Sequence, residues 1–197
     1  MLYSLIKKQG ITRADMTIST VDKIIDIAES QVRAGGYNSF SFREISKEIG
    51  IKSASIHYHF PTKADLGVAI ANRYTARFEE HLANIIASTT EPLERLDPYI
   101  ALFSHALKVD KKMCLCGVLA SESDVLPEEL QLEAKHFFDV NIEWLATALF
   151  PEHPQAKAHA NFIIASLEGG LLMSKVMKSN RHFELITDGL RAQNWPY

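Results

Sequence analysis

Residues 41–66, SFREISKEIGIKSASIHYHFPTKADL, decide how this chain is read. Ser41 and Glu44 have the spacing of a capping box, in which each side chain satisfies a backbone donor at the other's end of the first helical turn. Phe42, Ile45 and Ile49 then fall on one helical face. Gly50 supplies the left-handed residue that ends such a helix without a Cβ clash. Ser53 is placed to cap a second short helix, whose Ile56 and Phe60, four apart, point inward. Pro61 stops that helix, and Thr62 with Asp65 is spaced as a further capped start. Two short helices joined by a glycine turn, the second with small and polar residues on its outer side, form the shape that enters a DNA major groove. DNA binding is therefore the first expectation.

On these residues the chain resembles the TetR family of bacterial transcriptional regulators. The resemblance rests on Gly50-Ile51, on Ser53-Ala54-Ser55-Ile56-His57-Tyr58-His59-Phe60 and on Thr62-Lys63; Tyr58-His59-Phe60 followed by Lys63 is its most specific part. It is strong over about residues 20–74 and only architectural beyond them. It implies an all-α fold, with an N-terminal three-helix helix-turn-helix DNA-binding domain followed by a larger helical ligand-binding and dimerisation domain. It further implies that Tyr58 and His59 bind the DNA backbone and that Ser41 and Arg43 brace the first helix against the opposite strand. A homodimer joined by the last two helices, about 156–193, is implied as well.

The residues themselves say what such a helix can do. With Ile56 and Phe60 holding it to its scaffold, Lys52, Ser53, Ala54, Ser55 and His57 face base edges or nearby phosphates. Ala54 can meet a thymine methyl. Lys63 opens the next helix, where its ammonium and the free N–H groups can share one phosphate. Each role has a competitor: Ser41, Ser53 and Thr62 serve as caps, Tyr58 packs partly in the core, and Arg43 pairs on a solvated surface. His57 and His59 lie about 200° apart around a helix, so they cannot share a metal ion. No metal and no cofactor is expected.

Charge supports this assignment weakly. The 197 residues carry a net charge of -3, but the halves differ. Residues 1–75 hold 10 Lys and Arg against 7 acids, and residues 76–197 hold 11 against 17. The positive excess sits with the motif, as attraction to phosphate requires. Two cysteines make no disulfide framework, no cleavable signal pattern opens the chain, and no apolar run spans a membrane. A cytoplasmic protein is expected.

Helical periodicity dominates, without a convincing alternating strand. A first helix from Ser19 or Thr20 to Gly35-Gly36 turns Ile24, Ile25, Ala28 and Val32 inward. A long helix over about 63–87 carries Ile70, Tyr74, Phe78, Leu82 and Ile85 on one stripe. Later helices are expected from Pro92 through Leu107, over 115–124, over 128–150 with Leu132, Phe137, Phe138, Ile142 and Leu145 on one face, over 156–177 and over 181–193. Three regions follow: 1–18, a flexible N-terminal arm; 19–74, the DNA-binding domain; and 75–197, the ligand-binding and dimerisation domain. The second boundary falls inside a helix.

In the larger half, apolar and polar residues suggest an effector pocket: Phe78, Leu82, Phe103, His105, Cys116, Leu119, Phe137, Phe162 and Glu168. Most are ordinary core candidates, because aromatic stripes on helices usually are. Glu168 interrupts an apolar face and needs a partner, with an internal cation ranked ahead of a ligand. Lys111, Lys112 and a helix start can lower the thiol pKa of Cys114 or Cys116, which raises oxidation or alkylation as a second trigger. The reading is a ligand-responsive, sequence-specific repressor that leaves a palindromic double-stranded DNA operator when a small molecule binds. A thiol-triggered regulator and a ligand-independent DNA-binding protein are the alternatives. An enzyme is not expected: the chain has no phosphate-binding glycine loop, nucleophile elbow or paired metal-binding histidines.

Overall fold

The order of elements follows from caps and breakers laid along the chain. The computed structural model describes residues 19–196. The expected arm at 1–18 lies outside them. Helix α1 spans Thr20–Gly35, α2 Phe42–Ile49, α3 Ser53–His59 and α4 Lys63–Ser88. Then come α5 at Leu96–Lys108, α6 at Leu115–Ser121, α7 at Glu128–Leu149, α8 at Ala156–Val176 and α9 at Arg181–Ala192. Among the described residues there is no strand, and no helix is long and apolar enough to cross a membrane. The fold is all-α, a helix-turn-helix head followed by a larger helical half.

Local chemistry sets the boundaries. Ser19 Oγ accepts the Asp22 N–H at 3.0 Å and starts α1. Ser41 Oγ accepts the Glu44 N–H at 3.2 Å, and Ser41 donates to the Glu44 carboxylate at 3.1 Å. The full reciprocal box forms at Thr62 and Asp65 instead, where both side chains cap a backbone donor. Gly50 closes α2 at φ 79°, and the Gly50 and Ile51 N–H groups both donate to the Ser46 carbonyl at 3.0 Å. A side chain at that φ would crowd its own backbone, so the turn favours glycine. Ser53 does not cap α3. Lys52 holds the cap position, and Ser53 Oγ is bonded to Ser46 Oγ at 2.9 Å, tying α3 to α2.

Pro98 delays a helix. Residues Pro92–Arg95 form a 3-10 turn and α5 begins at Leu96, so Pro98 lies in the first turn, where a missing N–H costs no helical bond. The 115–124 segment breaks in two, α6 followed by a 3-10 turn at Ser123–Val125.

Helix α4 joins the two halves. Its 26 residues at 1.5 Å each make a rod of about 39 Å. The first part packs on α1, and the rest packs on α5, α6 and α7. The stripe Ile70, Tyr74, Phe78, Leu82, Ile85 is buried along its length. Around it the larger half has an aromatic core: Phe78 meets Phe137 at 5.1 Å and Phe103 at 5.7 Å, and Tyr99 stacks on Trp144 at 5.4 Å. Such pairs add about 0.5–1.5 kcal/mol each beyond the area they bury. Tyr99 Oη donates to Asn141 Oδ1 at 2.8 Å, so a fully buried hydroxyl and amide satisfy each other.

One expected face is shifted. Leu132 is 59% exposed, and the inward row of α7 runs through Leu130, Ala134, Phe137, Asn141 and Leu145. Asn141 looks polar in sequence but is buried through its Tyr99 bond, so the buried row runs through Leu130, Ala134 and Asn141 in place of Leu132, Phe138 and Ile142. Phe162 on α8 is likewise 56% exposed, not inward.

Candidate nucleic-acid interface and regulatory site

Ile45 and Ile56 face each other's helices with no exposed surface, and Phe40, Phe60 and Leu66 complete a small core under α2 and α3. Full burial of each such side chain stabilises by about 1.5–3 kcal/mol, enough to fix a seven-residue helix that could not persist alone. Its outer face is left to solvent. Lys52, Ala54, Ser55, His57, Tyr58 and His59 are exposed, Ser53 is half-buried, and Arg43 stands exposed on α2 without an ion pair among the described residues. Ser41 is half-buried and committed to its cap, with its backbone end open to solvent.

Tyr58 is the informative residue. It is 84% exposed, the most exposed large hydrophobic side chain among the described residues, with its ring edge-on to His59 at 5.1 Å. Core packing therefore does not account for it. His57 is more constrained: its ring lies edge-on to Phe42 at 4.7 Å, and Nδ1 is 3.3 Å from the Pro61 carbonyl.

Lys63 has a seat that spacing did not reveal. Its ammonium lies 4.8 Å from the Tyr37 ring centre and 4.6 Å from that of Phe40. Desolvation there lowers its pKa, while the Glu122 and Glu44 carboxylates oppose that shift. Tyr37 in turn is held from the other half, because its N–H donates to Glu122 Oε2 at 2.9 Å. Glu122 lies 85 positions away in sequence, so no local pattern could have paired the two.

The expected effector residues do not surround one cavity. Phe78 and His105 line a cleft of about 560 Å³ between α1, α4 and α5, whose charges are largely paired. There Arg33 bonds Glu29 at 3.5 Å and Asp110 at 2.9 Å, and Arg77 bonds Glu29 at 2.6 Å. Leu82, Phe103, Cys116, Leu119 and Phe137 are solid core, at most 2% exposed. Phe162 is on the surface. Glu168 lines a separate cleft of about 480 Å³ with Gly35, Gly36, Gly117 and Glu122.

Two electrostatic expectations need correction. Burial pushes the Cys114 and Cys116 thiols well above their ordinary range, with the Glu168 carboxylate adding to both shifts. Lys111 and Lys112 do not activate them. Nor does Glu168 have the internal cation expected for it. Its stem is partly exposed, but both carboxylate oxygens are enclosed, and apart from the Cys114 thiol no donor reaches them among the described residues. Burial raises its carboxyl to about 7, opposed only by the neighbouring Cys114 thiol.

A three-helix head with an open recognition helix, carried on a long helix into a larger helical half, defines a helix-turn-helix DNA-binding protein. Residues 24–70 match the family model described as bacterial regulatory proteins, tetR family, and residues 92–188 match the LmrA/YxaF-like transcriptional regulator C-terminal domain. A TetR transcriptional regulator from Legionella pneumophila is 34% identical, superposes with a TM-score of 0.85, and is aligned over 89% of this chain and 97% of that one. This chain belongs to the TetR family of transcriptional regulators, which bind DNA and are not enzymes. A TetR-family regulator from Agrobacterium tumefaciens is 32% identical over 86% of this chain and 94% of its own, with a TM-score of 0.81. The HTH-type transcriptional regulator LmrA of Bacillus subtilis (strain 168) is 26% identical, covering 81% of this chain and 88% of its own.

Proposed function

We propose that this protein is a ligand-responsive repressor that binds a palindromic operator as a homodimer and leaves it when a small molecule occupies the larger half. The observation that carries the operator reading is the exposed face of α3, above all Tyr58, beside the seated Lys63. Ser41, Arg43, Lys52, Ser53, Ala54, Ser55, His57 and His59 complete the surface that DNA would meet. The head would comprise 19–74 and the effector and dimer half 75–197, with the hand-over inside α4. Working on chromosomal DNA puts the protein in the cytoplasm.

An apolar strip supports the dimer. Phe162, Leu172, Met173, Val176 and Met177 on α8 are between 48% and 71% exposed, and Leu185 on α9 is 52% exposed. These positions recur at helical spacing on one side of α8, so they would be covered by the same strip of a second copy. Two heads placed this way read half-sites one helical turn of DNA apart, or a multiple of it. A thiol trigger finds less support, because the two cysteines are buried and held as thiols.

Fluorescence anisotropy with DNA from upstream of the protein's own gene, against excess nonspecific competitor, tests the reading. Saturable binding should survive competitor and weaken by about 100-fold in a Tyr58→Ala, Lys63→Ala double variant, as loss of two backbone contacts predicts. Equal binding by the double variant would remove α3 from the interface. Binding that no metabolite weakens would favour a ligand-independent protein.

A further inference from the structure

The Gly35–Gly36 end of α1 forms one wall of the 480 Å³ cleft, and α6 and α8 form the others. Glu122 and Glu168 line it, with the exposed Lys175 beside them. Each carboxylate lies against a glycine. A Cβ at Gly36 would come within 2.0 Å of Glu122 Oε1, and one at Gly117 within 2.3 Å of Glu168 Oε2. Any side chain at either position would evict the acid. Glu122 is engaged with the Tyr37 N–H. Glu168 has no such partner: apart from the Cys114 thiol no donor reaches its oxygens among the described residues, and Lys175 makes no ion pair with it. The remaining lining includes Met113, Val118, Phe138 and Leu172.

An enclosed carboxylate met only by a thiol is costly, and a cation brought to it relieves that cost. Apolar walls around the carboxylate favour a hydrocarbon body behind the charge. We propose that the effector is an organic cation, a protonated amine on an apolar body, bound in this cleft with its ammonium on Glu168. This inference rests on the ligand-responsive reading above and names its ligand class and route. The bound cation also attracts Glu122 and draws it from the Tyr37 N–H. Tyr37 then loses its anchor, and with it the aromatic seat under Lys63. Effector and operator thereby oppose each other through one carboxylate, and each weakens the other's binding equally.

The test uses the full-length protein at pH 8 with hexylamine and phenethylamine as probes, and with 1-hexanol and 2-phenylethanol as neutral partners of matched shape. Calorimetric titration without DNA should find amine binding at least about tenfold tighter than alcohol binding, the scale of one buried charge-assisted bond. Glu168→Gln and Glu168→Met should each abolish that preference while still melting cooperatively, at or above the wild-type temperature. Glu122→Ala should keep the amine preference, yet its operator affinity should no longer fall when amine is added. Amines that bind no better than alcohols, amines that do not bind, or a Glu168→Gln protein that prefers amines as the wild type does would each overturn the proposal. An operator released by the alcohols alone would leave ligand response standing and refute only the cation. Operator DNA unbound without any probe would instead overturn the reading of the head, and the titration would still decide the cleft.

Discussion

The head and the larger half find partners for their polar groups over different distances. In the head, the polar side chains that set the turns find partners within a few positions: Ser19 with Asp22, Ser41 with Glu44, Thr62 with Asp65, and Ser46 with Ser53 across the glycine turn. In the larger half, Glu168 and Thr75 Oγ1 meet only the Cys114 and Cys116 thiols, and Trp144 Nε1 is enclosed with no partner among the described residues. Buried polar groups are normally paired, so unpaired ones mark places where stability has been given up. The head holds its turns through near neighbours, and the larger half leaves an enclosed carboxylate without a cation.

That contrast can be attacked from either side, beginning with the core of the head. Ile56 is fully buried in a seven-residue helix, so Ile56→Ala should cost about 2–5 kcal/mol in denaturant unfolding. A loss below about 1 kcal/mol would mean that caps and turn, not packing, hold the recognition helix.

Glu168 probes the larger half through pH. Its folded value, about 7, lies above the unfolded value of 4.5, so between them the folded chain holds a proton that the unfolded chain has lost. Stability from this group is complete below about pH 4.5 and is lost as pH rises to about 7, a fall of about 3 kcal/mol. Glu168→Gln should flatten that slope and melt higher than the wild type at pH 8. Parallel pH profiles of the two proteins would refute the claim that the carboxylate is unpaired.

Smaller effects refine the head. Replacing Lys63 by Met should lower the slope of log affinity against log salt by about 1, as loss of one phosphate contact predicts. An unchanged slope would confine Lys63 to its seat on Tyr37 and Phe40. Ser41→Ala should cost about 1 kcal/mol of stability, the usual value of a helix cap. A fall in operator affinity beyond what that unfolding explains would show that Ser41 also touches DNA.

The same contrast governs what could be read before any coordinates. Caps, glycine turn and inward isoleucines of the head are spaced within four residues, so a linear string displays them. Ser53 misled because a serine just before an apolar turn looks like a cap, whereas a bond to Ser46 across the turn satisfies it. In the larger half the deciding pairings are distant. Tyr99 buries Asn141 from 42 positions away, which displaced the inward face of α7, and Phe162 looked like core because an outward apolar strip has the same period as an inward one. Glu168 was legible as an oddity on an apolar face. That no cation comes to it was not, since the rims of its cleft come from α1, α6 and α8.

Arg33 carries a consequence for the order in which the protein is made. It sits at the end of α1, only 8% exposed at the side chain, and three of its bonds define its place. One goes to Glu29 in its own helix, but the others reach Asp110 and the Met113 carbonyl. Domains generally fold as they emerge during synthesis. A nascent chain that has released only α1 through α4 would own the whole recognition surface, but of these three partners Arg33 would keep only Glu29. The end of α1 therefore gains two of its bonds only after residues 110–113 have been translated, and the head is fastened to the larger half as that half is made.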